Sequence, residues 1–247
     1  VDDLDGGDDR DTLISDSPTG EETNFERVNV ICFAQGTRIA TARGDVQVQD
    51  LMPGDMVCTA DHGLQPLRWH GRKTIGSDIL QYQARLRPIL IAKDTFGQGM
   101  PARDLYLSPQ HRICVSSVIA QRMLGSAEIL LAAKKLTQLD GVAPVSAEHG
   151  VTYHHLLFDR HEIIMADGLA CESLFLGDQA IEALGPEAMN QIDGLRRRAG
   201  SRITADSPAR PCADRAKLIN NLIARHRKNG KPLLGASMRA ELLHMTS

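Results

Sequence analysis

The sequence predicts a mostly β body followed by a helical tail. Three observations point to this. Between residues 28 and 177, short alternating runs are broken at close intervals by Gly, Pro and Asp. After Gly177 the apolar spacing becomes helical, and charge shifts from acidic to basic along the chain. The formal net charge of −3 is therefore a cancellation between two ends. Residues 1–27 carry Asp2, Asp3, Asp5, Asp8, Asp9, Asp11, Asp16, Glu21, Glu22 and Glu26 against two arginines, whereas residues 196–239 are rich in Arg and Lys. The expected organisation is an acidic leader (1–27), a β domain (28–177) and a basic, largely helical tail (178–247). No stretch approaches the roughly 20 uncharged apolar residues of a membrane span.

The elements follow in order. Thr37-Arg-Ile-Ala-Thr-Ala alternates before a turn at Arg43-Gly44-Asp45, and Val46-Gln-Val-Gln alternates after it, which predicts a hairpin. Leu51-Met-Pro-Gly-Asp makes a turn, Met56-Val-Cys-Thr a strand, and Asp61-His62-Gly63 another turn. Further strands are expected at residues 86–91, 105–107, 112–115, 155–158 and 163–165. One helix is expected inside the body over 126–136, where apolar residues recur at helical spacing behind Ser126 as N-cap. In the tail, 214–226 reads as a helix stopping near Asn229-Gly230.

Five cysteines (Cys32, Cys58, Cys114, Cys171 and Cys212) are widely spaced, odd in number and form no CxxC pair, which argues against a disulfide framework. Cys32 stands at the first residues of the folded domain, directly after the acidic leader. A thiol there can attack the carbonyl of the preceding residue, Ile31, and move the leader from nitrogen to sulfur. The shift runs uphill from amide to thioester, so it needs an activated thiol and donors aimed at the developing oxyanion. Read alone, Cys32 fits a small buried hydrophobe better than a nucleophile. In Leu105-Tyr-Leu-Ser108-Pro-Gln-His111 a hydroxyl and an imidazole lie three residues apart after a strand. Such a turn can aim both at one peptide bond, and the imidazole can protonate the departing amide nitrogen.

Taken together and in this order, these elements resemble the Hint domain shared by Hedgehog proteins and inteins, a β horseshoe that begins with its nucleophilic Cys. The resemblance rests on Cys32…Gly36-Thr37-Arg38-Ile39, on Leu51-Met-Pro-Gly54-Asp55-Met-Val57, on Ser108-Pro-Gln-His111 in place of Thr-x-x-His, and on Tyr153, His161 and Gly168. Phe158-Asp-Arg-His-Glu162, Glu172-Ser173, Trp69-His-Gly71 and Arg87-Pro88-Ile make it most similar to a bacterial subgroup that ends secreted, multidomain proteins. It implies an N-to-S acyl shift at Cys32 across the Ile31–Cys32 bond, with Ser108 polarising that peptide and His111 protonating its nitrogen. His161 with Asp159 would assist resolution of the thioester. A splicing intein ends in His-Asn, where this chain has Glu172-Ser173. Serine forms no succinimide, so self-cleavage or ligation of the upstream segment is expected, without full splicing.

No metal or other cofactor is expected: His154, His155, His161 and Cys171 lack paired ligand spacing, and neighbouring His154 and His155 project to opposite faces of a strand. The expected partner is the chain's own upstream segment in cis, with water, a thiol or an amine capturing the thioester. Nucleic acid is not expected, and a monomer is. Asp5-Gly6-Gly7-Asp8-Asp9-Arg10-Asp11-Thr12-Leu13 is close to the calcium-binding nonapeptide of RTX repeats, which suits type I-like secretion without an N-terminal signal peptide. The same stretch reads otherwise as an acidic linker, and the protein then as cytoplasmic. Two rival functions are an inactive Hint-fold structural or export module, and a binding module acting through the basic tail.

Overall fold

The structure, a computed structural model, describes residues 31–198, 203–205 and 207–234; the acidic leader and its Gly6-Gly7 nonapeptide lie outside them. The body is built from fourteen described strands: β1 (Phe33–Ala34), β2 (Arg38–Thr41), β3 (Gly44–Gln47), β4 (Met56–Thr59), β5 (Gly63–Pro66), β6 (Trp69–Ile75), β7 (Ile89–Ile91), β8 (Leu105–Leu107), β9 (Arg112–Ser116), β10 (Glu128–Ala132), β11 (Val142–Pro144), β12 (Val151–Leu157), β13 (Ile163–Ala166) and β14 (Leu169–Glu172). Helices are α1 (Ser77–Tyr82), α2 (Val118–Leu124), α3 (Asp178–Arg198) and α4 (Ala216–Asn229).

The strands form two antiparallel sheets. One runs β11-β7-β8-β1-β12-β6; the other runs β10-β9-β14-β13-β2-β4-β5, with β3 paired to β2. The expected hairpin over 37–49 forms as β2 and β3, with Ile39 opposite Val46. Asp167 (φ 46°) and Gly168 (φ 79°) close the β13–β14 hairpin in the left-handed region, the conformation that a two-residue Asp-Gly connection supplies.

The helix expected over 126–136 is instead strand β10, followed by a short 3-10 turn at Ala133–Lys135. Glu128 to Ala132 pair residue by residue with Ser116 to Arg112 of β9. Ile129, Leu130, Leu131 and Ala132 are all buried. A strand covered on both faces shows an unbroken apolar run, which mimics a helical stripe over so short a length. The helix of this region lies earlier, at α2, where Ser117 accepts the Ala120 N–H and Gly125 (φ 77°) ends the turn.

α4 forms as expected and stops at Gly230 in the left-handed conformation. Its Ile219, Leu222 and Ile223 lie in the same apolar core as Phe33, Ile39, Leu107, Ile113 and Ile163. Burying such a side chain contributes about 1.5–3 kcal/mol each. Arg210 straps the approach to α4 onto the sheet by gripping Asp61 and Glu128.

Candidate functional site

Three strands of the first sheet set the site. Phe33 of β1 pairs with Leu107 of β8 on one side and with His154 of β12 on the other. One residue further along these antiparallel registers, Ser108, Cys32 and His155 stand in one row, and residues paired across strands face the same way. The contacts agree. Ser108 N–H donates to the Cys32 carbonyl at 3.0 Å, and Cys32 N–H donates to Ser108 Oγ at 3.1 Å. His155 Nδ1 lies 3.0 Å from the Ile31 carbonyl oxygen. Cys32 Sγ lies 3.5 Å from His155 Nδ1 and 3.6 Å from Nε2. A carbonyl oxygen can only accept, so Nδ1 carries the hydrogen in the neutral ring and Nε2 keeps its lone pair. One imidazole therefore grips the oxygen of the Ile31–Cys32 peptide and offers a base to the thiol that would attack it.

Electrostatics keep this row neutral at rest. Burial pushes the Cys32 thiol well above its ordinary value, while the Ser108 hydroxyl and the Lys73 charge pull partly back. Burial pushes His155 down to about 4, against its bond to the Ile31 carbonyl. A thiol in such surroundings does not ionise on its own at neutral pH and needs a proton acceptor within reach. Behind the ring, the Trp69 indole stacks on His155 with centroids 6.4 Å apart. Trp69 also lies over Gly71, where an added Cβ would collide with the indole. Trp69 is a packing anchor: its Nε1–H donates to Gln191 at 2.8 Å, and it joins the cluster of Leu157, Leu174 and Ile192.

His111 is fully buried, with its ring edge-on to Phe33 at 4.3 Å. Burial pushes it down to about 3, opposed by the Cys32 carbonyl. His161 lies further along: its Nδ1 accepts the Ala209 N–H at 3.0 Å, and its Nε2 is 3.4 Å from Glu172 Oε2. Glu172, itself fully buried, accepts the Arg112 backbone N–H at 2.8 Å and faces the Arg112 guanidinium at 3.4 Å. Asp159 is gripped by both arms of Arg68, at 3.0 and 2.6 Å. The structure thus gathers Cys32, Ser108 and His111 around the Ile31–Cys32 peptide. It ties His161 into a buried knot with Glu172 and Arg112, and holds Asp159 in a separate ion pair.

The sequence reading did not single out His155 as a reacting group. It did place His154 and His155 on opposite faces, and they are so placed: His154 Nδ1 meets His70 Nε2 at 2.9 Å, away from Cys32. The missing information was the β1–β12 register, which alone tells which of the two faces the thiol.

A cavity of about 520 Å³ opens against Ile31, walled by Gln110, Arg112, Lys134, Lys135, Phe175 and Asp178 among others. Ile31 thus holds His155 through its carbonyl oxygen and also borders this cavity.

The fold is two antiparallel sheets with a buried thiol, Cys32, directly before the first strand. The chain belongs to the Hint domain family, which matches residues 31–178. Solved structures similar to it include a bacterial intein-like domain from Clostridium thermocellum (13% identity, TM-score 0.39, covering 57% of this chain and 96% of that one). Others are the gp41-1 intein (9%, 0.35, 57% and 97%) and the MchDnaB-1 intein (11%, 0.37, 57% and 98%). No curated protein matches the chain.

Proposed function

We propose that this domain cuts or transfers its upstream segment in cis, by an N-to-S acyl shift at Cys32. The observation that carries the reading is the grip on the Ile31–Cys32 peptide: Ser108 Oγ on its nitrogen at 3.1 Å, His155 Nδ1 on its oxygen at 3.0 Å, and Cys32 Sγ beside that imidazole. Sγ gives its proton to His155 Nε2 and bonds to the Ile31 carbonyl carbon. The oxygen, now an oxyanion, stays against Nδ1–H. One such donor is worth about 10²–10³ in rate in other acyl-transfer sites. The C–N bond then breaks, and the nitrogen leaves as the amine of Cys32. The proton that His155 took from sulfur is handed on through His111, at the Cys32 carbonyl, to this nitrogen, and both imidazoles end neutral. The net result is one proton moved from sulfur to nitrogen and one acyl group moved from nitrogen to sulfur. A nucleophile then takes the acyl group, and the segment ending at Ile31 is released.

The test is thiol-induced release. The full 247-residue chain is incubated with dithiothreitol, and its intact mass is followed. Wild type is expected to split between Ile31 and Cys32, and Cys32→Ala to stay whole. Identical mass profiles for the two would mean that the fold is kept without the chemistry.

A further inference from the structure

The thioester must be captured by something, and the cavity against Ile31 restricts what that is. Among the described residues it meets the reacting peptide at Ile31, and neither Cys32 nor His155 lines it. Gln110 and Arg112, from the segment that carries Ser108 and His111, form one wall; Lys134 and Lys135 form a second; Asp178, in the first turn of α3, and Asp214 complete it. A volume of about 520 Å³ accommodates a small molecule or the end of a peptide.

The charges of this wall fall into two groups. Arg112 is committed to Glu172 at 3.4 Å and lies 3.9 Å from Asp214. Lys134, Lys135 and Asp178 make no close ion pair among the described residues. Burial and the neighbouring Lys135 push Lys134 below its ordinary value, and the Asp214 carboxylate opposes them. Among the described residues the wall thus presents two neighbouring ammonium groups, one of them facing the field of Asp214, and, separately, the Asp178 carboxylate. That pattern complements a ligand bearing an anionic group at one place and an amine at another, and it is a poor lining for a sterol or other lipid.

We infer that this cavity is the acceptor site, and that it takes a small zwitterionic amine: a free amino acid or the end of a short peptide. Its carboxylate sits on Lys134 and Lys135, and its amino group lies between Asp178 and the Ile31 carbonyl carbon. The inference rests on the acyl shift proposed above. In the transfer, the unprotonated amine nitrogen bonds to the Ile31 carbonyl carbon and the carbon–sulfur bond breaks. The proton shed by the amine passes to the Cys32 thiolate, so no oxidant or other co-reactant is needed. The product is an upstream segment extended by the acceptor through an ordinary amide.

A matched pair of probes tests this. Glycylglycine and glycylglycinamide carry similar α-amino groups, but only the first has a carboxylate. The full chain is incubated with each, and the released segment is weighed by mass spectrometry. Hydroxylamine, which cleaves any thioester and needs no site, is run alongside. Glycylglycine is expected to give at least about ten times more amide adduct than its amide. The Lys134→Ala/Lys135→Ala variant is expected to abolish that preference while leaving hydroxylamine release unchanged. Equal yields from both probes, or hydroxylamine release with no amine adduct, would overturn the acceptor site while sparing the acyl shift. Failure of hydroxylamine itself would overturn both.

Discussion

Two places in this domain carry buried polar chemistry, and they are built differently. At Cys32 the groups form an open chain: a neutral thiol, a neutral imidazole whose unprotonated nitrogen lies 3.6 Å from the sulfur, and a carbonyl already held by the other ring nitrogen. At Glu172-Ser173 they form a closed knot. Glu172 is tied to Arg112 and His161, while Ser173 N–H donates to the Glu162 carbonyl at 2.8 Å and its hydroxyl accepts the Glu162 N–H at 2.8 Å. The first place has the parts for a proton transfer; the second ties β13 and β14 to β9, with His161 Nε2 and Arg112 Nε left without hydrogen bonds. On the function proposed above, the difference is an uncommitted lone pair beside an acid. Burial and the number of polar residues do not by themselves produce it.

The comparison can be broken most directly at His155. His155→Ala is expected to slow release about 10²–10³-fold, the range for losing an oxyanion donor. His155→Gln, which can still donate to the Ile31 carbonyl but offers no base of comparable strength, should fall between the two. Mass-monitored time courses of the three proteins, with thermal melts to confirm folding, make the measurement. Equal rates for wild type and His155→Ala would return the imidazole to a packing function.

Ser108→Ala should cost about tenfold, by removing the acceptor for the Cys32 N–H and the hydroxyl that eases the thiol toward ionisation. Ser108→Thr keeps both and should stay within about threefold, judged by the same time courses. At the closed knot the expectation reverses. Glu172→Gln leaves the Arg112 charge without its buried partner, so it should lower unfolding stability by about 3 kcal/mol in urea titrations. The first-step rate of the folded variant should change by less than about twofold. A large rate loss there would mean that the knot takes part in the chemistry.

The mildest effect is on acid stability. His111, His154 and His155 are held down to about 3, 4 and 4, from an ordinary value of 6.5. On acidification the unfolded chain therefore takes up these protons first. Stability should fall as pH drops below about 6.5 toward 4. Asp167, raised by burial to about 6, works the other way: its folded carboxyl gains a proton before the unfolded one and offsets part of the loss. Urea midpoints from pH 7 to 4 should decline, less steeply in His154→Asn.

Much of this was legible in the sequence for a physical reason. Strands exposed on one face write their alternation into the residues, so the hairpin around Gly44 and the run at Met56–Thr59 could be read locally. β10 could not, because cover on both faces erases the alternation. Cys32, Ser108 and His111 are marked by motif spacing alone. His155 is marked only by what lies across from it, since a pairing between residues 33 and 154 leaves no local trace. Asp159 and His161 entered only through the family resemblance, as helpers in resolving the thioester. Their commitment to Arg68, and to Glu172 with Arg112, depends on side chains far away in the chain.

The central claim is that the Ile31 acyl group moves onto the Cys32 sulfur. Hydroxylamine trapping of the full chain, with mass spectrometry of the released segment, tests it most directly. The predicted product is residues 1–31 ending in a hydroxamate at Ile31, together with residues 32–247 bearing a free N-terminal Cys32, and neither from Cys32→Ala. An intact chain, cleavage at another bond, or the same products from Cys32→Ala would contradict it.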